Sequence, residues 1–277
     1  MMRRIRVATY LPASRIHEVY LYFAKNLRAF AEIAPVEDIV YVDCAAPEGE
    51  DLVREVLDGF EVRFDRSCSR GGTWFKILRD FADSGDDAWL VIDSDNLVND
   101  AKRILKMIAF KPFFGVLDDT ATTNGEIPPQ FMKRTADVRG DVAFYRVFAP
   151  GIRGNPIFFG PKQVVGITDA EAVDKYWGKI AEIADAFNDV DTWLRNFISD
   201  ETVLGFVSLA MGVEETPYLV GGTTHMHHFS PASRLPKHLI AKAHFQFAKA
   251  LARRRIMPRY VKWYLARFTL SYMANLF

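Results

Sequence analysis

The chain has 277 residues, 49% of them hydrophobic and 25% charged, with no net charge. These are ordinary globular values that exclude disorder, collagen-like repeats and a small disulfide scaffold. No apolar run reaches the roughly 18 residues of a transmembrane helix. The start, MMRRIRVATYL, has too short an apolar stretch for a signal peptide, and Pro12 interrupts it. Cys44 and Cys68 alone cannot form a disulfide network, and so small a number points to a reducing compartment.

The first hundred residues alternate apolar runs with helical patterns. Arg6 to Leu11 reads as a strand, and His17 to Phe30 carries apolar residues at helical spacing. Asp38 to Cys44 is a second strand, and Leu52 to Leu57 lies in a short helix closed by Gly59. Glu61 to Phe64 is a third strand, and Thr73 is the expected cap of a helix running to about Ala82. Ala88 to Ile92 is a fourth strand, apolar throughout, as a strand buried on both faces requires. This alternation predicts βαβ units and a parallel arrangement. Beyond residue 110 the expected strands are Phe113 to Leu117, Val142 to Phe148, Pro156 to Phe159 and parts of Tyr218 to Phe229. Ala170 to Asn188 and Thr192 to Met211 read as helices.

The sharpest feature is WLVIDSDNLV, residues 89 to 98, in which an apolar strand runs into Asp93-Ser94-Asp95. In an open α/β sheet the ligand site lies beyond the carboxyl ends of the strands. Two carboxylates there, one residue apart, suit a hard cation such as Mg²⁺ or Mn²⁺ whose shell is completed by phosphate oxygens. An acidic pair in a surface loop is the plainer reading, and the buried strand before the pair weighs against it.

On these residues the chain resembles nucleotide-sugar glycosyltransferases of the GT-A fold, over roughly residues 4 to 229 in the order of elements. The resemblance implies a Rossmann-like α/β domain with a mixed central sheet flanked by helices. It spans about 1–232, with a donor half to about 99 and an acceptor half after it, and a helical appendage at 233–277. It also implies that the DxD motif binds a cation bridging the donor diphosphate. Asp95 would be a metal ligand, and Asp93 would bind ribose or share the metal. Thr9, Tyr10 and Leu11 end the first strand where nucleotide contact is expected, with Ser94 between the two acids. Asp43 ends the second strand, where a carboxylate meets base or ribose or simply caps a turn. Arg70 and Lys76 lie at a helix start that attracts anions, or are solvated surface residues. Asn155 would hydrogen-bond a sugar hydroxyl. Asp200 and Glu201 stand at a helix start where a carboxylate serves as general base in inverting members, and where helix capping is the plainer role.

Three of the six histidines cluster in Gly221-Gly222-Thr223-Thr224-His225-Met226-His227-His228-Phe229. In an extended segment His225 and His227 share a face, and the family resemblance makes one of them a third metal ligand. Two Asp, one His and two diphosphate oxygens suit Mn²⁺.

The net charge of zero divides unevenly. The last 62 residues hold ten Lys or Arg and no Asp or Glu, so +10 there balances −10 before it. Basic residues interleave with aromatics such as Phe245, Tyr260, Trp263, Tyr264 and Phe268, a composition suited to an anionic membrane surface. Packing on the catalytic core or on a second subunit is the alternative, and no fold signature supports nucleic acid. The expectation is therefore a cytoplasmic hexosyltransferase, peripheral at the inner face of the membrane. It would use a nucleotide-sugar donor, a hydroxyl acceptor and Mn²⁺ or Mg²⁺, in polysaccharide or glycolipid synthesis. A haloacid-dehalogenase-type phosphohydrolase or an inactive GT-A nucleotide-binding module are the competing readings. In the former the DxD normally ends the first strand with a small Thr or Val two positions on, where this chain has Leu97.

Overall fold

The computed structural model describes residues 4–94, 96–98, 100–108, 113–116, 164–196, 198, 203–204, 206–207, 210, 218–219, 224–226 and 237–256. They fall in two compact units, one of 1–119, 161–175 and 216–228, the other of 120–160, 176–215 and 229–277.

The first unit is built on a mixed sheet of seven strands. In chain order these are β1 (Ile5–Pro12), β2 (Val36–Asp43), β3 (Glu61–Asp65), β4 (Ala88–Asp93), β6 (Phe113–Val116), β7 (Val164–Ile167) and β8 (Tyr218–Leu219). Their spatial order is β3-β2-β1-β4-β7-β6-β8. The first four strands are parallel, as the βαβ alternation predicts, and β7 enters antiparallel beside β4. The mixed, helix-flanked α/β sheet implied by the family resemblance is therefore present. A second, two-stranded sheet pairs β5 (Asn96–Val98) with β9 (Thr224–Met226).

One face of the large sheet is buried by Val7, Leu11, Val40, Val42, Leu90 and Ile92, which pack with Phe23, Phe30, Val53 and Ile104 of the covering helices. Beyond that cluster, Trp89 of β4 lies edge-on to Phe81 at 6.0 Å and is tilted against Tyr41 at 6.3 Å. Phe81 belongs to α3 (Arg70–Ser84), the helix that connects β3 to β4.

The helices differ from expectation in instructive ways. The run expected at His17 to Phe30 contains a π-helical turn at Val19–Phe23 before α1 (Ala24–Ala31). Helix α2 (Pro47–Val56) begins earlier than Leu52, with Pro47 in its first turn, where a missing N–H costs nothing. The cap of α3 is Ser69, whose hydroxyl accepts from Gly72 N at 3.1 Å, and not Thr73. Gly72 is required there, because a Cβ would lie 2.2 Å from Ser67 Oγ. The helix expected at Ala170 to Asn188 is present with those bounds. Of the stretch expected as helix from Thr192, Thr192–Arg195 is one, and the rest is only partly within the described residues. The strands expected at Val142 to Phe148 and Pro156 to Phe159 lie outside the described residues.

At the amino ends of the strands, Arg6 on β1 ties four elements together. Its guanidinium donates to Asp86 at 2.9 Å, Glu61 at 2.6 Å and Glu37 at 3.0 Å, and it sits over the Trp89 ring. Asp86 is buried and also accepts from Trp89 Nε1 at 2.7 Å. Removing one partner of a buried pair strands the other charge, at about 3 kcal/mol or more. Arg6→Ala is therefore expected to lower unfolding free energy by about 3 kcal/mol, read by urea titration, with ligand affinity at the opposite end of the sheet unchanged.

The cysteines correct the expectation of a reduced pair. Cys44 and Cys68 are joined as a disulfide, with Cα atoms 4.9 Å apart. Parallel pairing of β2 with β3 brings the strand ends together, and Cys44 N donates to Asp65 O at 3.0 Å. Both residues have left-handed backbones, φ 40° and 55°.

In the second unit, the helix Lys237–Arg253 buries Ala243, Phe247, Ala248 and Leu251. Phe247 lies edge-on to both Phe187 and Phe206, each at 5.7 Å. Arg254 is bonded to Asp189 at 2.9 Å. This part of the basic segment thus packs on protein through its apolar face, while Lys242, Lys249, Arg253 and Arg255 are exposed. Among the described residues no helix is long and apolar enough to cross a membrane.

Candidate functional site

Three parallel strands end in carboxylates at one edge of the sheet: Asp43 on β2, Asp65 on β3 and Asp93 on β4. Tyr10 of β1 stands between them, in register with Asp93 on one side and Tyr41 on the other. Its hydroxyl donates to Asp43 Oδ2 at 2.7 Å, which fixes that carboxylate at the strand end. Asp93 is half-buried, and its Oδ1 accepts from the N–H of Ser94 at 3.0 Å. An edge of this kind, rich in acids at the carboxyl ends of parallel strands, attracts cations and hydroxyl-bearing ligands.

The other residues expected at the donor side are placed differently. Thr9 is fully buried and donates to Ile92 O at 2.7 Å, tying β1 to β4. Leu11 is fully buried in the core. Donor contact through either side chain is therefore closed, and main-chain groups of the strand end are what remain. Ser94 is also turned inward, 2% exposed, and donates to Glu18 Oε2 at 2.6 Å. Lys76 is 44% exposed and ion-paired with Asp65.

Asp65 was not singled out by the sequence, yet it organises the loop before α3. Its carboxylate is buried and accepts from Ser67 N at 2.9 Å, from the hydroxyls of Ser67 and Thr73, and from Lys76. Burial by itself pushes its pKa up. The donors of Lys76, Ser67 and Thr73 outweigh that and hold it below the usual carboxylate range. Glu18 and Asn26 were equally invisible, since each adjoins another polar residue, His17 and Lys25, and reads as part of a solvated helix face. Asn26 is 1% exposed and its Oδ1 accepts from Val98 N at 2.8 Å.

The two segments expected to supply cation ligands meet in the small sheet. In the antiparallel pairing of β5 with β9, Asn96 faces Met226, Leu97 faces His225 and Val98 faces Thr224. The backbone of the histidine segment thus runs alongside the strand that follows the DSD motif, although some 130 residues separate them in sequence. Asp95, Asn155, Asp200, Glu201 and His227 lie outside the described residues, as do the side chains of Arg70 and His225. Among the described residues no three His, Cys, Asp or Glu form a group able to hold a metal ion.

No protein-family model matches the chain, and no curated protein matches it either. Among solved structures it is similar to S. aureus TarS 1-349 in complex with UDP, at 14% identity and a TM-score of 0.47, over 97% of this chain and 71% of that one. It spans 43% of the longer TarS chain. The galactosyltransferase LgtC in complex with donor and acceptor sugar analogs is similar at 13% identity and a TM-score of 0.43, over 73% and 70%. Glucosyl-3-phosphoglycerate synthase from Mycobacterium tuberculosis, in complex with Mn²⁺, UDP and phosphoglyceric acid, is similar at 11% identity and a TM-score of 0.44, over 92% and 79%.

Proposed function

We propose that this chain is a cation-dependent glycosyltransferase of the GT-A type, moving a hexose from a nucleotide-diphosphate donor to a hydroxyl acceptor. The observation that carries the reading is the pairing of Asn96–Val98 with Thr224–Met226. Asp95 immediately precedes Asn96 and His227 immediately follows Met226, and Asn96 and Met226 face each other across an antiparallel ladder. Asp93, Asp95 and His227 or His225 form the proposed ligand set. Its two carboxylates and one imidazole fit a borderline-hard divalent ion such as Mn²⁺. When bound, that cation supplies charge neutralisation for the departing diphosphate.

The chain's own residues do the rest. Asp43, held by Tyr10, presents a carboxylate toward base or ribose. Arg70 and the start of α3 offer positive charge to phosphate, and Lys76 adds to it as far as Asp65 leaves it free. Asn155 orients a sugar hydroxyl, and Asp200 or Glu201 takes the proton from the acceptor hydroxyl. The exposed basic residues of Lys237–Arg253, with those that follow, suit an acceptor carried at an anionic surface.

The deciding experiment is a thermal-shift matrix of UDP, GDP, CMP and dTDP sugars, each with Mn²⁺, Mg²⁺ or EDTA. A ligand at a hundred times its Kd adds about 2.7 kcal/mol, which for a chain of this size is a rise of about 5–10 °C. One nucleotide is expected to give that rise, and EDTA to remove it. No rise with any nucleotide sinks the proposal. A rise without sugar transfer identifies a binding module, and phosphate release without transfer identifies a phosphohydrolase.

A further inference from the structure

We propose that Glu18 is a positioning residue that sets the DSD turn from behind, an inference that rests on reading this turn as the cation and donor site. Glu18 is 6% exposed and makes two kinds of contact. Its Oε1 accepts from Arg15 Nε at 2.5 Å, and its Oε2 accepts from the Ser94 hydroxyl at 2.6 Å. Arg15 belongs to the short turn that follows β1, and Ser94 is the middle residue of the motif. One buried carboxylate therefore joins the loop at the end of the first strand to the turn at the end of the fourth.

Eight residues farther along the same helical run, Asn26 accepts from Val98 N at 2.8 Å. The two anchors hold Ser94 on one side of Asp95 and Val98 on the other. They can act together because of the π-helical turn between them, Val19–Phe23. Eight steps of a regular α-helix, at about 100° each, advance about 80° beyond two turns. A π turn inserts one extra residue without advancing the helix, which leaves seven effective steps, close to two full turns. Glu18 and Asn26 then face the same side, toward the strand they grip. Deep burial of a carboxylate is costly unless its lone pairs are matched. Arg15 supplies the matching charge, so the site gains a rigid support without an uncompensated negative charge behind its own acids.

Groups that orient metal ligands from behind typically change metal affinity about 10–100-fold when removed. The test measures Mn²⁺ binding to the full chain, with and without UDP, by electron paramagnetic resonance titration, and the melting temperature of each variant. Ser94→Ala removes one oxygen, and Glu18→Ala removes both contacts. Each is expected to weaken Mn²⁺ binding about 10–100-fold. Glu18→Gln keeps an acceptor for Ser94 and is expected to restore most of that loss. If Glu18→Ala fails to fold, Ser94→Ala still reads the contact. Variants that melt lower but bind Mn²⁺ as tightly as the unaltered chain would mark a purely structural role and overturn the inference. If the unaltered chain binds neither Mn²⁺ nor UDP, the glycosyltransferase reading itself fails and this inference falls with it.

Discussion

Asp95→Ala is expected to reduce sugar transfer about 100- to 1,000-fold, the range seen when one preorganised electrostatic group is removed from a transition state. The same substitution is expected to abolish the cation-dependent thermal shift with the donor while leaving the melting temperature of the free chain unchanged or slightly higher. Acids gathered at a strand edge repel one another, and relieving such a cluster commonly stabilises a protein at the expense of its function. Asp93→Ala should weaken donor binding less, because its Oδ1 also serves the Ser94 N–H and part of its role is local. A variant at Asp95 that still binds donor normally with cation would remove the basis of the proposed chemistry.

The second large effect concerns stability rather than turnover. Asp65→Ala leaves the Lys76 ammonium and the hydroxyls of Ser67 and Thr73 without their common acceptor. Loss of so many bonds to one buried charge is expected to cost about 3–4 kcal/mol, measured by chemical denaturation. The pH dependence follows in sign. The folded chain holds the Asp65 pKa below its unfolded value, so its stabilisation is fully present above the unfolded value, about pH 4. It is lost as pH falls through the folded value. Asp65→Asn is expected to flatten this acid limb while retaining more stability than Asp65→Ala at pH 7. Because the carboxylate also engages Lys76, donor affinity should move with the β3–α3 junction, whereas the Arg6 variant should leave it untouched.

The four parallel strands were legible by different patterns: β4 is apolar almost without break, as a strand covered on both faces must be, β1 and β2 carry apolar runs, and β3 alternates Val62 and Phe64 with charged residues. The strands β5 and β7 were not. Asn96–Val98 and Val164–Ile167 are three and four residues long, too short to show a period, and each exists only through a partner remote in sequence. The motif itself stood out for its chemistry, but the burial of Thr9, Leu11 and Ser94 did not, since side-chain direction at a strand end depends on what packs there. The expected cap at Thr73 failed because the helix starts three residues earlier, at Arg70: Ser69 accepts from Gly72 N as the cap, and Thr73 lies inside the first turn with its hydroxyl donating to Asp65. Two cysteines are too few for their number to signal a disulfide, and it is geometry that decides: two strand ends in parallel register place them within reach. Glu18 carried no sequence signal at all, because one buried acid in an apolar helix looks like a surface residue until its partners are known.

The strand order has a consequence for how the chain is made. Among the described residues, strand β6 finds its outer partner in Tyr218–Leu219, and β5 finds its partner in Thr224–Met226. During synthesis from the amino end, both edges wait for more than 100 further residues to emerge. An unpaired strand edge is a template for wrong association, and contacts so distant in sequence form slowly. The nascent chain is thus most vulnerable in the interval between Val116 and Met226. A fragment ending inside that interval would expose the edge strands of its own central sheet to neighbouring chains.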